Sequence, residues 1–230
     1  TRSSRASSAP IELTVFEDQD GQAITFGEFF HGRPSIVAFF YTRCDNPLKC
    51  SLTITKLARI QQLLEAEGVV DQINTAGITY DPGFDLPERL LNYGAHRGVR
   101  FASHHRLLRA HDGIESVRKH FKLGVNFIES LVNRHRIEIY ILDAKGRVAG
   151  YFGRIQWNEK DVVQRAVDCR DHRHRLALRR CRRVEVIGRG IDVRREYISE
   201  SCFGCRLRRL DRGRSLRGSA AQAPATPRGG

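Results

Sequence analysis

Methionine is absent from the 230 residues, and tryptophan occurs only once. A chain with no Met that begins TRSSRASSAP carries no initiator, so it reads as a processed or trimmed product. The missing export signal then says nothing about compartment. Long apolar runs are missing too: no stretch approaches the roughly 20 residues that a membrane-spanning helix needs. Lysine is missing from residues 169–230, where 17 Arg stand against 6 acids for a net charge of +11. Residues 1–168 carry 16 Arg, 6 Lys and 20 acids, a net +2. The overall +13 therefore does not describe the body of the protein. A nucleic-acid-binding domain needs its cations on the folded surface that meets phosphate, which excludes that chemistry for the body. Only the tail could serve as an RNA- or acidic-membrane-binding arm.

What is present suits a soluble chain, 40% hydrophobic and 28% charged, long enough for one good-sized domain and an extension. Residues 1–9 are Ser- and Arg-rich with almost nothing to bury, and read as a flexible lead-in. Alternation on both sides of EDQDGQ predicts a strand, a turn and a short second strand. SIVAFFY, Ser35 to Tyr41, is a near-continuous apolar run suited to a central strand covered on both faces. A helix follows over Ser51 to Glu67, with Leu52, Ile54, Leu57, Ile60, Leu63 and Leu64 at helical spacing and Gly68 as its stop. QINTAGITYDP predicts a strand, DLPERLLNYGAHRG a helix with Asp85 as N-cap and Pro87 in its first turn, VRFASH a short strand, and IESVRKHF a helix. RIEIYILDAKGRVAGYFG reads as a hairpin turning at DAKG, and NEKDVVQRAV as a closing helix capped by Asn158.

Strands and helices that alternate and then end in an antiparallel hairpin predict an α/β protein. The expected fold is a thioredoxin-like mixed sheet with flanking helices, an N-terminal β-hairpin and a late antiparallel hairpin. The expected division is a lead-in over 1–9, this domain over 10–168, and an Arg-rich, largely disordered extension over 169–230.

Two of the six cysteines, Cys44 and Cys50, lie with five residues between them in the polar loop RCDNPLKC, after the most buried strand. In α/β sheets active groups gather at the carboxyl ends of strands. A thiol near a helix N-terminus meets the positive end of the helix dipole and unpaired N–H groups, which favour thiolate. Thiolate is both the attacking species in disulfide exchange and a soft ligand for Cu(I) or Zn, and the spacing alone does not choose between them. Two buried structural cysteines are the plainer alternative, but a polar loop is a poor place for core residues. Thioredoxin-type reductants keep two residues between their thiols, and a thiol peroxidase has a Thr three residues before its cysteine, where this chain has Tyr41.

The stretches FFYTRCDNPLKCSLTITKLARIQ, ITYDPGFDLPERLLNYG and NRHRIEIYILDAKGRV resemble, in order and spacing, the Sco/SenC family of copper-binding thioredoxin-like proteins. The resemblance covers Pro10 to Val167 and does not extend to the tail. It places the family's two cysteines and distant histidine at Cys44, Cys50 and His135. It implies a metallochaperone that holds a copper ion with two thiolates and one imidazole. The copper would pass to the copper-binding subunit of cytochrome c oxidase during assembly, with a redox role for the same cysteine pair. It also implies a place in the cell envelope, on the periplasmic face of the inner membrane, with a tether missing from this chain. The family loop has three residues between its cysteines and this one has five, which still lets two sulfurs reach one metal. Read by itself, His135 stands at the polar start of the strand RIEIYIL, where two flanking arginines would depress imidazole protonation and keep a lone pair free.

Other candidates are weaker. His104, His105, His111 and His120 fall in a loop and on a helix without i, i+4 pairing and read as solvated. Asp81 reads as a turn or strand cap. Cys169, Cys181, Cys202 and Cys205 could supply four sulfurs for zinc, with His172 and His174 nearby, but the first pair is spaced too widely for a knuckle. The sequence thus favours a metal carrier over a turnover enzyme. The alternative is a thiol–disulfide oxidoreductase that reduces a target's copper-ligand cysteines, itself served by a reductant. Only the need for His135 separates the two.

Overall fold

The computed structural model of the chain describes residues 10–111, 114–128, 131–154 and 156–171. The chain opens with β1 (Val15–Asp18) and β2 (Ala23–Thr25), paired antiparallel around the expected turn. A short helix not anticipated from the sequence follows, α1 (Phe26–Phe30). Its signal was the pattern Thr-x-x-Glu: the Thr25 hydroxyl accepts from the Glu28 N–H while the Glu28 carboxylate accepts from the Thr25 N–H, a capping box. Phe26, Phe29 and Phe30, which look like strand residues by composition, are all buried by this turn of helix.

β3 (Ser35–Phe40) is buried at every position, as its apolar run requires. Successive side chains of a strand point to opposite faces, and this divides the run. Ile36, Ala38 and Phe40 pack with Ile54, Leu57, Ile60 and Leu64 of α2 (Leu52–Ala66). Val37 and Phe39 pack on the other side with the phenylalanines of α1. After α2, Gly68 takes a left-handed φ of 67°, the conformation that ends a helix most cheaply when no Cβ is present. β4 (Asn74–Thr79) lies parallel to β3, and α3 (Pro87–Ala95) follows with Pro87 at its first turn. The next strand is β5 (His105–Ala110), parallel to β4 and antiparallel to β1.

The expected strand over VRFASH is therefore displaced to HRLLRA. Pairing decides this, since His105 stands opposite Thr75 and Leu108 opposite Ile78, and the pattern buries His105, Leu107, Leu108 and Ala110. His105 is accordingly a core residue and not a solvated loop histidine.

α4 (Glu115–Phe121) covers the same face as α1. A two-stranded hairpin comes next, β6 (Val125–Ile128) and β7 (Leu131–His135), separate from the main sheet. The late hairpin is β8 (Glu138–Leu142) and β9 (Val148–Gly153), with β8 antiparallel to β3. The seven-stranded mixed sheet has the order β2-β1-β5-β4-β3-β8-β9, with helices on both faces. The closing helix, α5 (residues 159–171), begins where the Asn158 side chain accepts from the Lys160 N–H. It runs past residue 168, and Cys169, half-buried, packs on the same core cluster as α2. Lys56 of α2 is buried because its ammonium donates to the Trp157 carbonyl and lies 4.0 Å from the center of the Trp157 ring. Cys181, Cys202, Cys205, His172 and His174 lie outside the described residues, as do the lead-in and nearly all of the Arg-rich extension.

Candidate metal centre

β3 delivers the chain to the site. Tyr41 leaves its carboxyl end, and the loop turns back through Thr42 and Arg43 before Cys44. Buried Asp85 anchors that turn by accepting hydrogen bonds from the Thr42 N–H at 3.1 Å and from the hydroxyls of Thr42 and Thr79. Asp85 is therefore not the cap of α3, whose N-cap is Leu86 with no side-chain bond. Burial pushes the Asp85 carboxyl up, and the three donors oppose that shift. Asp81 pairs with Arg43, the residue before Cys44, so it too holds this loop.

Asn46 then accepts from the Leu48 N–H, Pro47 starts a single π-helical turn (Pro47–Ser51), and that turn runs directly into α2. Such turns tilt side chains out of the α-helical register and recur at functional sites. Here the turn carries Cys50 into the core, fully buried, while Cys44 stays half-exposed. The expectation that a helix terminus would favour thiolate fails at Cys50. Burial pushes its thiol well up, and a hydrogen bond from the Tyr41 backbone only partly offsets it.

His135 comes from the last position of β7, not from the start of the strand after it. Its partner strand places Val125 opposite, and Arg136 N–H donates to the Gly124 carbonyl at 3.0 Å. The His135 ring is packed between Tyr41 and Tyr80, at 5.3 and 5.5 Å between ring centers. Nδ1 lies 3.1 Å from the Arg136 carbonyl, which can only accept, so Nδ1 carries the proton and Nε2 holds the lone pair. Burial lowers the imidazole's pKa, the hydrogen bond to the Arg136 backbone opposes that shift, and the Lys49 charge adds to it.

Nε2 lies 3.7 Å from the sulfur of Cys44 and 3.7 Å from the sulfur of Cys50. All three donor atoms fall within 4.8 Å of one another, and this is the one Cys/His/carboxylate group of metal-binding spacing among the described residues. The separations fit a shared ion. Metal–sulfur and metal–nitrogen bonds of about 2.3 and 2.05 Å, opened to trigonal or tetrahedral angles, separate S from N by about 3.6–3.8 Å. The carbonyl bond to Nδ1 is the usual outer support of a ligating histidine. Cys44 and His135 line a cleft of about 630 Å³ together with Lys49 and Asn126, and Cys50 lies buried behind it.

Tyr41 was missed from the sequence. Burial first, and then the neighbouring Cys44 and Cys50 thiols, push its pKa up to about 12. The signal was present: an aromatic at the end of the central strand, three residues before the cysteine, flanks whatever that cysteine binds. Among the described residues no other histidine joins the site. His104 faces Asp71, and His120 packs edge-on to Phe26.

Fold and site together define a thioredoxin-like protein with a two-sulfur, one-imidazole centre able to hold a soft metal ion. The model of the SCO1/SenC family matches residues 8–169. The chain belongs to that family. Copper-bound ScoI from Bradyrhizobium japonicum is similar in structure, with 21% identity, TM-score 0.55, and 70% of this chain and 99% of that one covered. A SCO1/SenC family lipoprotein from Bacillus anthracis shares 19% identity over 70% of this chain and 94% of its own, with TM-score 0.60. Copper-bound Sco1 from yeast shares 23% over 70% and 87%, with TM-score 0.54. No curated protein matches the chain significantly.

Proposed function

We propose that the protein is a copper metallochaperone: Cys44, Cys50 and His135 hold one Cu(I), which is passed to the copper-binding subunit of cytochrome c oxidase during assembly. The observation that carries this reading is the placement of the His135 Nε2 lone pair, 3.7 Å from each sulfur, with Nδ1 already committed to a backbone carbonyl. Disulfide exchange needs no imidazole lone pair between its thiols; a metal site does. The buried Cys50 thiol, poor as a free nucleophile, ionises when a bound metal takes the place of its proton. Cu(I) supplies no turnover chemistry here, since it is cargo. Tyr41 and Tyr80 wall the imidazole, the 630 Å³ cleft admits an acceptor's ligands, and half-exposed Cys44 is the first donor an acceptor could replace.

Two further parts of the reading concern setting. The lipoprotein among the similar structures supports a cell-envelope location; the periplasmic face is part of the proposal and rests on the family role in oxidase assembly. Among the described residues no helix is long and apolar enough to cross a membrane.

The test is Cu(I) competition against a chromophoric chelator with the reduced protein. One Cu(I) per chain is expected, and His135→Ala should weaken binding on the order of tenfold or more while the fold persists. Equal affinity in wild type and His135→Ala would remove the histidine from the site and favour the oxidoreductase.

A further inference from the structure

Beside the metal centre, on the other side of the loop that carries Cys44, lies a second groove of about 470 Å³. One wall is the face of α3 presenting Glu88, Arg89, Asn92, Tyr93 and His96 at helical spacing, and the other is Thr42 and Arg43. Three guanidinium groups lie over aromatic rings in it. Arg43 lies 4.0 Å and Arg89 4.2 Å from the center of Phe84, and Arg97 lies 3.4 Å from the center of Tyr93. Arg43 is neutralised by Asp81, but among the described residues no carboxylate lies within ion-pair distance of Arg89 or Arg97. Glu88 is the opposing charge on the same wall, so the groove keeps a positive excess.

Stacking matters because it holds the planar forks in place before anything binds, which lowers the ordering cost of accepting a carboxylate. The groove is also coupled to the metal loop. Arg43 precedes Cys44, and Arg97 donates to the hydroxyl of Ser51, the residue after Cys50.

We infer that this groove docks an acidic, extended segment of a partner protein and so brings the partner's own ligands up to Cys44. The chain's own ends do not suit it, since residues 169–230 carry +11 and residues 1–9 hold two Arg and no acid. The inference rests on the copper-transfer reading for its purpose, but the docking itself does not need metal.

The test uses the reduced, metal-free full chain and a fluorescein-labelled eight-residue peptide of alternating Glu and Ser, read by fluorescence anisotropy. Arg89→Gln, which removes only a ring-stacked cation, should weaken binding about fivefold, the scale of one lost charge-assisted contact. The charge-matched control Arg208→Gln, in the basic tail, should change it less than twofold. A photo-crosslinking version of the peptide should attach within residues 84–97. Equal weakening by the two substitutions, or crosslinks confined to the tail, would overturn the assignment as non-specific polyanion binding. Tighter, Arg89-dependent binding of a single-stranded oligonucleotide of equal charge would overturn it in favour of nucleic acid. Cu(I) affinity of Arg89→Gln, measured alongside, should match wild type, so loss of peptide binding with intact metal binding separates this inference from the metal reading.

Discussion

Acid should destabilise this protein through one histidine in its sheet, and the size of the effect follows from the surroundings of His105. The ring is 3% exposed, Nδ1 lies 2.8 Å from the Thr75 hydroxyl, and Nε2 is buried without a partner. The His104 ring meets it edge-on, with 4.1 Å between ring centers. Burial, then the His104 charge, lowers the His105 pKa to about 4. An unfolded chain would titrate this imidazole near 6.5. Between those values the unfolded state binds the extra proton, so stability rises with pH through the window from about 4 to 6.5 and is lost on descending it. The difference of 2.5 pH units corresponds to about 3 kcal/mol. His105→Gln keeps a polar partner for Thr75 and cannot titrate. Denaturant unfolding of both proteins at several pH values between 4 and 7.5 isolates the effect, because the carboxylates common to both cancel in the difference. Wild type should lose about 3 kcal/mol more than His105→Gln on going from pH 7.5 to 4. Parallel stability curves would refute the reasoning and mean that the ring is hydrated or protonated in the folded state.

Gly77 of β4 has no room for a side chain, since an added Cβ would stand 2.5 Å from Leu107 and 3.1 Å from Phe40, both fully buried. Gly77→Ala should therefore cost about 1–3 kcal/mol and lower Tm by several degrees in a thermal melt, and an unshifted melt would contradict the packing. Oxidised glutathione should take two electrons from the copper-bound thiolates of Cys44 and Cys50, join their sulfurs in a disulfide, leave as two glutathione thiols after taking up two protons from solvent, and expel the copper. Peptide mapping that pairs Cys44 with a tail cysteine would count against this. A chain ending at Asp171 should keep its melting temperature, copper stoichiometry and Arg89-dependent binding of the Glu–Ser peptide, and lose most of its salt-sensitive binding to RNA, which the +11 tail would carry. A melt lowered by many degrees would show that the extension is a packed element.

Much of the fold was written locally. SIVAFF reads as a strand covered on both faces, because five consecutive apolar residues follow Ser35 in a run of strand length, rich in aromatic and β-branched side chains. The α2 stripe, the stop at Gly68, the first-turn Pro87, the DAKG hairpin and the Asn158 cap all rest on interactions within a few residues, and each appears where the sequence puts it. The two cysteines and the histidine were nameable as well, through the order of motifs along the chain. What neighbours far away in sequence decide was not legible. β5 sits where β4 and β1 can both pair with it, six residues downstream of the strand that local pattern suggested. Asp85 looks like a helix cap until Thr42, 43 residues earlier, is seen to donate to it. The direction of the Cys50 shift turns on depth of burial, a property of the assembled core, against a helix-terminus effect that sequence can read. The sequence by itself determined which residues could bind a metal. Only the tertiary structure brought β7 beside the end of β3, and with it the lone pair of His135 to within 3.7 Å of two sulfurs that lie 85 and 91 residues away.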